Sequence, residues 1–256
     1  MADRTLTGVG VLVTRPADQA GDLVNAIEAE GGSVVLFPTI EIRPLDPAGI
    51  ALQRDAQRDP DIALFVSANA VRYGLEHAGT AKLAAIGPAT AAAIEAAGRT
   101  VDIRPASGFD SEHLLAEPAF RDVAGAVVRI LRGRQGRELV AETLRARGAH
   151  VDYLPVYDRR MPDYAPAVIA ELETSWRAGA IDVVTVMSVE SLTNLVALLT
   201  TWCKVRIGLT TLVTPAARVL KEALALYPDM PVALAKGPGA AEMVRAIARH
   251  APDKSR

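Results

Sequence analysis

The side chains best suited to binding a ligand are hydroxyl and guanidinium groups that follow short apolar segments. In parallel sheets such positions lie at the carboxyl ends of strands, where the free N–H groups of the next helix attract anions. The hydroxyl and guanidinium residues are Thr14, Arg15, Ser67, Thr90, Arg132, Arg137, Ser188, Ser191, Thr214 and Arg218, and Asn69 and Gly87 lie at the same strand ends. Hydroxyls and arginines together suit a molecule that carries carboxylates. Each hydroxyl alone is also typical of a helix cap, so their recurrence is what favours a ligand-binding cleft.

The segment from Arg132 to Arg137 reads Arg-Gly-Arg-Gln-Gly-Arg. Glycines let the backbone approach a ligand, and guanidinium groups bind carboxylates through two parallel hydrogen bonds, so the pattern resembles an anion-binding nest. The start of a solvated helix explains the same residues equally well.

Tyr157 stands out because only 4% of the chain is aromatic, and it follows Pro155 in a segment between two predicted domains. A neutral phenol there can donate a hydrogen bond or a proton to a departing hydroxyl group. A tyrosine that packs its ring and leaves its hydroxyl at the surface is an equally common alternative.

Several classes of function lack their sequence signals. The four histidines, His77, His113, His150 and His250, have no metal-binding spacing, and neither a dinucleotide fingerprint nor a phosphate-binding loop is found. Ser67 lacks the glycine frame of a hydrolase nucleophile. The net charge of −2 and the single Cys203 indicate no general nucleic-acid surface and no disulfide. Without a secretion signal or a long apolar segment, we expect a cytoplasmic protein with no metal, membrane or nucleic-acid partner.

The elements that position these residues come from an internal duplication. The segment from Thr14 to Pro38 aligns without a gap with that from Leu131 to Pro155. Each copy reads as an apolar strand, a polar turn, an amphipathic helix, a glycine (Gly31 or Gly148) and a second strand. The chain therefore begins each half with a strand–helix–strand unit.

The repeat continues in two further pairs of segments. Residues 61–71 match 182–192, each an apolar strand that ends in serine before a helix, and residues 83–91 resemble 211–219. Apolar strands that alternate with amphipathic helices predict parallel sheets covered on both faces. We predict an α/β fold of two doubly wound parallel-sheet domains related by this duplication and joined by a two-stranded linker.

The predicted domains interleave along the chain. The first comprises residues 1–37 and 164–256, the second residues 45–155, and residues 38–44 and 156–163 are linkers. If the two halves exchange their opening units, the linkers run side by side. Sequence alone does not reveal that exchange.

Five segments form a combination that is specific although each is weak by itself. They are Val13-Thr-Arg-Pro16, Phe65-Val-Ser-Ala-Asn-Ala-Val71, Ala85-Ile-Gly-Pro-Ala-Thr-Ala91, Ser111-Glu112 and the run from Ile130 to Arg159. In content and order they resemble the uroporphyrinogen-III synthase family, over essentially the whole chain.

This resemblance implies exchanged domains and the ring closure of hydroxymethylbilane to uroporphyrinogen III in heme biosynthesis. The reaction loses water and inverts ring D through a spiro intermediate, and it needs no cofactor. By resemblance Tyr157 assists hydroxyl departure. The implied substrate-binding residues are Arg15, Ser67, Asn69, Gly87, Thr90, Arg132, Arg137, Ser188 and Thr214. The family's second Gly-Pro-x-Thr-Ala motif is Thr214-Pro-Ala-Ala-Arg218 here, so one hydroxyl contact is lost or moved to Thr214.

Two alternatives stay open at this point. A non-enzymatic two-domain sensor of an anionic small molecule shares the fold and the arginines. A glycosyl- or phosphoryl-transferase is disfavoured because the phosphate-binding loop and acidic metal ligands are missing. As partners we expect only the small-molecule substrate, handed over by hydroxymethylbilane synthase, and a monomeric protein.

Overall fold

The computed structural model describes residues 6–108 and 110–251. The chain divides into two compact units, unit 1 comprising Met1–Glu41 with Arg160–Arg256 and unit 2 comprising Ile42–Arg159. Both points where the chain passes between units fall within the predicted linkers 38–44 and 156–163. The exact limits of the predicted domains, 1–37 with 164–256 and 45–155, stay a prediction.

Strands and helices alternate along most of the described chain. The strands are β1 (Gly10–Val13), β2 (Ser33–Leu36), β3 (Glu41–Pro44), β4 (Ile62–Phe65), β5 (Lys82–Ala85), β6 (Val127–Gly133), β7 (His150–Arg160), β8 (Val183–Thr185), β9 (Thr211–Thr214) and β10 (Val232–Leu234). The α-helices are α1 (Gly21–Ala29), α2 (Pro47–Asp55), α3 (Ala68–Gly74), α4 (Pro88–Ala96), α5 (Ser111–Ala116), α6 (Pro118–Arg121), α7 (Leu139–Ala146), α8 (Pro166–Arg177), α9 (Val189–Leu198), α10 (Thr201–Ile207), α11 (Ala217–Leu226) and α12 (Ala240–His250). Short 3-10 turns cover Ala17–Gln19 and Leu75–Ala78.

Unit 1 contains a five-stranded sheet in the order β10-β9-β8-β1-β2, with every neighbouring pair parallel. Successive residues of β1 pack into different clusters, because side chains alternate across a strand. Leu12 joins the cluster around Trp176 and Leu195, whereas Val11 and Val13 join the one on the opposite face. The sheet is covered on both faces, as the continuous apolar strands predict.

Unit 2 contains a sheet in the order β3-β7-β6-β4-β5, in which β7, β6, β4 and β5 are parallel. Its strands alternate in the same way: Phe65 and Leu64 lie in separate buried clusters. The edge strand β3 is hydrogen-bonded to β7, and the next residue, Leu45, donates its N–H to the carbonyl of Val156 at 3.1 Å. The chain passes between units in these two strands, which confirms the predicted two-stranded linker.

The two halves exchange their opening strand–helix–strand units. β1 pairs with β8 of the second half, with Val11 opposite Val183, while β6 pairs with β4 of the first half. The glycines that end the two equivalent helices, Gly31 and Gly148, have φ values of 84° and 85°. The two halves thus share the same strand–helix–strand units and the same left-handed glycine after the helix, which confirms the duplication predicted from the sequence. No helix within 6–108 and 110–251 has both the length and the apolar character that a membrane span requires.

Candidate active site

One cavity of unit 2 lies at the carboxyl ends of β4 and β6. It has a volume of about 380 Å³. Its walls are formed by Val66, Ser67, Ile86, Asp110, Ser111, Ile130, Arg132, Gly133, Gln135, Gly136, Arg137, Val140, Tyr157 and Arg159. Four of the predicted site residues, Ser67, Arg132, Arg137 and Tyr157, therefore lie around one space.

Ser67 and Tyr157 bring two hydroxyl groups together in this cavity. Ser67 begins α3, and its Oγ accepts a hydrogen bond from the N–H of Ala70 at 3.0 Å. The same Oγ lies 3.1 Å from Oη of Tyr157. The Tyr157 side chain is buried, and the residue is 6% exposed. Ser67 is therefore both the helix cap that the sequence favours and a partner of the predicted catalytic phenol.

Two glycines allow the strands and α3 to approach closely here. Gly133 lies opposite Tyr157 in the β6–β7 register, and a Cβ atom at Gly133 would lie only 2.9 Å from Cε2 of the tyrosine ring. A Cβ atom at Gly74, the last residue of α3, would lie 2.8 Å from Cδ2 of Leu131. The missing side chains thus let the ring lie against the end of β6 and let α3 lie on the sheet.

The cavity has an excess of positive charge. Three arginines line it, Arg132, Arg137 and Arg159, against one carboxylate, Asp110. Asp110 is engaged by His113, which donates its backbone N–H at 2.9 Å and lies with Nδ1 2.6 Å away. These hydrogen bonds hold the pKa of Asp110 below its ordinary value, with the backbone N–H the largest cause. The site therefore favours an anionic ligand.

Arg132 is the buried member of the three arginines, with 5% of its surface exposed. Its Nη1 donates to Oε1 of Glu138 at 3.0 Å, and its guanidinium carbon lies 4.5 Å from the centre of the Tyr153 ring. Tyr153 donates its own hydroxyl to the other oxygen of Glu138. The pKa of Glu138 is lowered, first by the hydrogen bond from Tyr153 and then by that from Arg132.

Comparison with known proteins decides the family. The sequence profile described as "Uroporphyrinogen-III synthase HemD" matches residues 21–245. Uroporphyrinogen-III synthase of Escherichia coli (strain K12) is 32% identical over 203 residues, which cover 76% of this chain and 81% of that protein. The enzyme of Salmonella typhimurium is 33% identical over 204 residues, which cover 76% of this chain and 81% of the relative. This chain belongs to the uroporphyrinogen-III synthase family.

Two solved structures of uroporphyrinogen-III synthases share the fold. A mutant enzyme from Thermus thermophilus superposes with a TM-score of 0.59 at 19% identity, covering 94% of this chain and 98% of that one. The Helicobacter pylori enzyme also gives 0.59, at 13% identity, covering 93% and 97%. The predicted fold class is confirmed.

Three further residues that the resemblance assigned to this synthase's site lie elsewhere in unit 2. Gly87 caps α4 and lines a separate pocket with Pro88 and Arg104. Asn69 lies half-buried in the first turn of α3, and Thr90 is 4% exposed in the first turn of α4. Their roles in binding stay predictions.

The remaining predicted residues belong to unit 1. Arg15 donates Nη2 to the carbonyl of Pro238 at 2.5 Å, while its buried Nε has no partner among the described residues. Burial lowers the pKa of Arg15, against the opposing effect of Asp22. Ser188 caps α9, accepting from the N–H of Ser191 at 3.1 Å. Thr214 is fully buried, and its Oγ1 accepts from the N–H of Ala216 at 3.1 Å.

Other groups around the cavity were missed by sequence reasoning. Tyr153 and Glu138 fix Arg132, and Arg159 lines the wall, whereas Gln135 belongs to the segment that resembles an anion-binding nest. Tyr153 and Arg159 both lie on β7, but the register of that strand with β6 shifts between Arg132 and Gly133, so the alternation of side chains along β7 gave no reliable signal for them. Throughout the described residues, no group of His, Cys, Asp and Glu could hold a metal ion.

Proposed function

We propose that this chain is a working uroporphyrinogen-III synthase, a lyase that converts hydroxymethylbilane into uroporphyrinogen III in the tetrapyrrole pathway. Water is lost, and ring D is inverted through a spiro intermediate. The observation that carries the proposal is the Ser67–Tyr157 hydroxyl pair, 3.1 Å apart, in a cavity walled by three arginines. A phenol able to donate a proton and guanidinium groups able to bind carboxylates therefore line the same cavity, which supports the proposal.

The first chemical step is departure of the hydroxyl from the methylene group on ring A. Tyr157 donates its phenolic proton to that oxygen, the C–O bond breaks and water leaves, while the pyrrole nitrogen of ring A supplies the electron pair. Ser67 donates a hydrogen bond to Oη of Tyr157 and stabilises the phenolate that remains. The product is an electrophilic azafulvene.

Ring D then attacks through its substituted α carbon. The new carbon–carbon bond gives a spiro-pyrrolenine, the bond between that α carbon and its former methylene breaks, and the freed methylene recloses on the other α carbon. Loss of a ring proton restores aromaticity, and a proton returns to Tyr157. Hydroxymethylbilane also closes spontaneously without inversion, so much of the catalysis is the positioning of the two ring ends.

Arg132 and Arg137 are proposed to bind acetate or propionate groups of the substrate. Arg132 is the better fixed of the two because it is buried and paired, whereas Arg137 is exposed. Their support is geometric, since both line the cavity that holds Tyr157. Arg15, Asn69, Gly87, Thr90, Ser188 and Thr214 are proposed as further binding residues, on the basis of their positions at strand ends.

The experiment is a coupled assay in which hydroxymethylbilane is generated in situ and the protein is added without metal or nucleotide. The products are oxidised, and type I and type III uroporphyrin are separated. Predominantly type III product supports the proposal. Type I product alone contradicts it, and tight tetrapyrrole binding without turnover would then favour the sensor of an anionic molecule.

We also infer a monomeric, cytoplasmic enzyme that receives its substrate from hydroxymethylbilane synthase. Light scattering of the purified protein tests the monomer. The transfer is tested by measuring the rate of type III formation at a fixed rate of bilane supply. We expect a higher rate when the two enzymes share one solution than when they are held in separate compartments.

A further inference from the structure

Arg132 is a buried cation whose position is set by its neighbours. The residue is 5% exposed and lies at the carboxyl end of β6, on the wall of the cavity. A charge withdrawn from water needs a close partner of opposite sign, and Glu138 supplies it at 3.0 Å from Nη1. Glu138 itself does not line the cavity, so it binds Arg132 from outside the cavity wall.

Tyr153 holds both members of that ion pair. In the β6–β7 register Tyr153 lies opposite Ile130, two residues before Arg132, so Tyr153 and Arg132 are diagonal neighbours on one face of the sheet. The ring therefore lies beneath the guanidinium, 4.5 Å from ring centre to Cζ, while its hydroxyl donates to Glu138. Arg132, Glu138 and Tyr153 therefore contact one another in pairs, and Cζ of Arg145 lies 5.5 Å from the centre of the same Tyr153 ring.

Gly136 closes the loop over the same guanidinium. A Cβ atom at this position would collide with Nη2 of Arg132. The loop can approach this closely only because residue 136 has no side chain. The guanidinium is thus restrained by Tyr153, by Glu138 and by the loop.

We propose that Glu138 and Tyr153 are positioning residues that act on substrate binding through Arg132. They hold its guanidinium in place so that a carboxylate of the bilane meets a pre-oriented donor. This inference rests on the proposed function, because it takes the bilane as the ligand. Fixing a long side chain in advance lowers the entropy lost on binding, so the effect belongs to KM and not to kcat.

The sign of the Glu138→Gln effect separates positioning from simple electrostatics. If Glu138 were only a negative charge near an anionic ligand, its removal would tighten binding. If it positions Arg132, its removal weakens binding. We expect KM to rise roughly tenfold with kcat within about twofold, and uroporphyrin III binding to the intact protein to weaken by a similar factor. Glu142 is an exposed carboxylate in α7, the helix that begins directly after Glu138, and Glu142→Gln is the matched control that leaves both constants unchanged.

A double-mutant cycle tests whether the effect passes through Arg132. In an Arg132→Gln background, Glu138→Gln has no further effect on KM or on uroporphyrin III binding. Tyr153→Phe keeps the ring under the guanidinium and weakens binding less than Tyr153→Leu. Only variants whose melting temperature equals that of the unaltered protein are compared. If Arg132→Gln unfolds, Arg132→Met, which also lacks the cation, replaces it in the cycle.

Failure of this inference can be distinguished from failure of the proposed function. Type III product from the unaltered protein tests the proposed function before any variant is made, and uroporphyrin III binding is measured without turnover. Tighter binding or an unchanged KM in Glu138→Gln overturns the inference, as does an additive cycle. A higher KM, non-additivity with Arg132 and retained type III product support it.

Discussion

Ser67 and Tyr157 lie 90 residues apart in the chain, yet their hydroxyl oxygens are 3.1 Å apart at the end of the unit 2 sheet. Ser67 uses the same oxygen to cap α3. Ser188, which follows the equivalent strand β8, caps α9 in the same way, so the capping role explains the serine at both positions. The contact with the Tyr157 phenol is an additional feature of Ser67.

Replacement of Tyr157 by phenylalanine removes the proposed proton donor and keeps the ring. We expect the rate of type III formation to fall roughly 100-fold, at the lower end of the usual range for general acid catalysis, while the spontaneous type I product increases. The measurement is the isomer ratio and initial rate in the coupled assay. Tyr227→Phe in unit 1 is the control, and an unaltered rate in Tyr157→Phe would exclude the phenol as the acid.

Ser67→Ala removes the helix cap and the partner of Tyr157 together. The free energy of unfolding should fall by about 1 kcal/mol from loss of the cap. Asp46, which caps α2 by accepting from the N–H of Gly49 at 3.0 Å, provides the matched control because Asp46→Ala loses a cap that does not line the cavity. Urea unfolding and the coupled assay together check this prediction. We expect both variants to lose a similar amount of stability, but only Ser67→Ala to form type III product more slowly. Equal activity in the two would limit Ser67 to capping.

Gly133→Ala places a methyl group against the Tyr157 ring. The new Cβ would lie 2.9 Å from Cε2 and 3.0 Å from Cζ, so the ring has to shift from its position beside Ser67. We expect at least a tenfold loss of kcat, about 1.4 kcal/mol in the barrier. Gly49→Ala on α2 is the control, because its nearest contact is 3.5 Å away. Steady-state kinetics of both variants test this, and wild-type kcat in Gly133→Ala would mean that the ring position is not critical.

His77 should make stability depend on pH. It is 7% exposed, and burial lowers its pKa although Glu76 opposes the change. Below about pH 6.5, where a histidine in the unfolded chain becomes protonated, the folded protein therefore binds fewer protons than the unfolded chain. The contribution of neutral, buried His77 to the free energy of unfolding is complete above about pH 6.5 and is lost as the pH falls below that value. His77→Gln should flatten urea-derived unfolding free energies between about pH 5 and 7. The exposed His150→Gln should retain the slope, and an equal slope in His77→Gln would assign the effect to other groups.

Local sequence signals predicted the fold well. Apolar strands, serine caps and the helix-ending Gly31 and Gly148 depend on residues close in the chain, and the structure has all of them. The pairing of β1 with β8 could not be derived from the residues alone, because both halves offer almost equivalent strands. Only the family resemblance implied the exchange.

Local sequence signals also predicted part of the candidate site. Ser67, Arg132 and Tyr157 follow recognisable strand ends, and they line one cavity. Glu138 and Tyr153 act on Arg132 through side-chain geometry that depends on the strand register, which no sequence motif specifies. A position at a strand end does not by itself make a residue available to a ligand. The hydroxyl of Thr214, for example, accepts a hydrogen bond from the N–H of Ala216 in the turn that follows β9.

The exchange of opening units has a consequence for synthesis on the ribosome. β1 and β2 emerge before β8, which belongs to the same sheet and pairs with β1. The hydrogen bond from Oγ1 of Thr14 to the carbonyl of Thr185 can form only after a further 171 residues have been synthesised. Unit 2 is continuous in the chain and can complete its core while the N-terminal strands still lack their partners. Pulse proteolysis of stalled nascent chains should therefore find Ile42–Arg159 protected before the segment that precedes it.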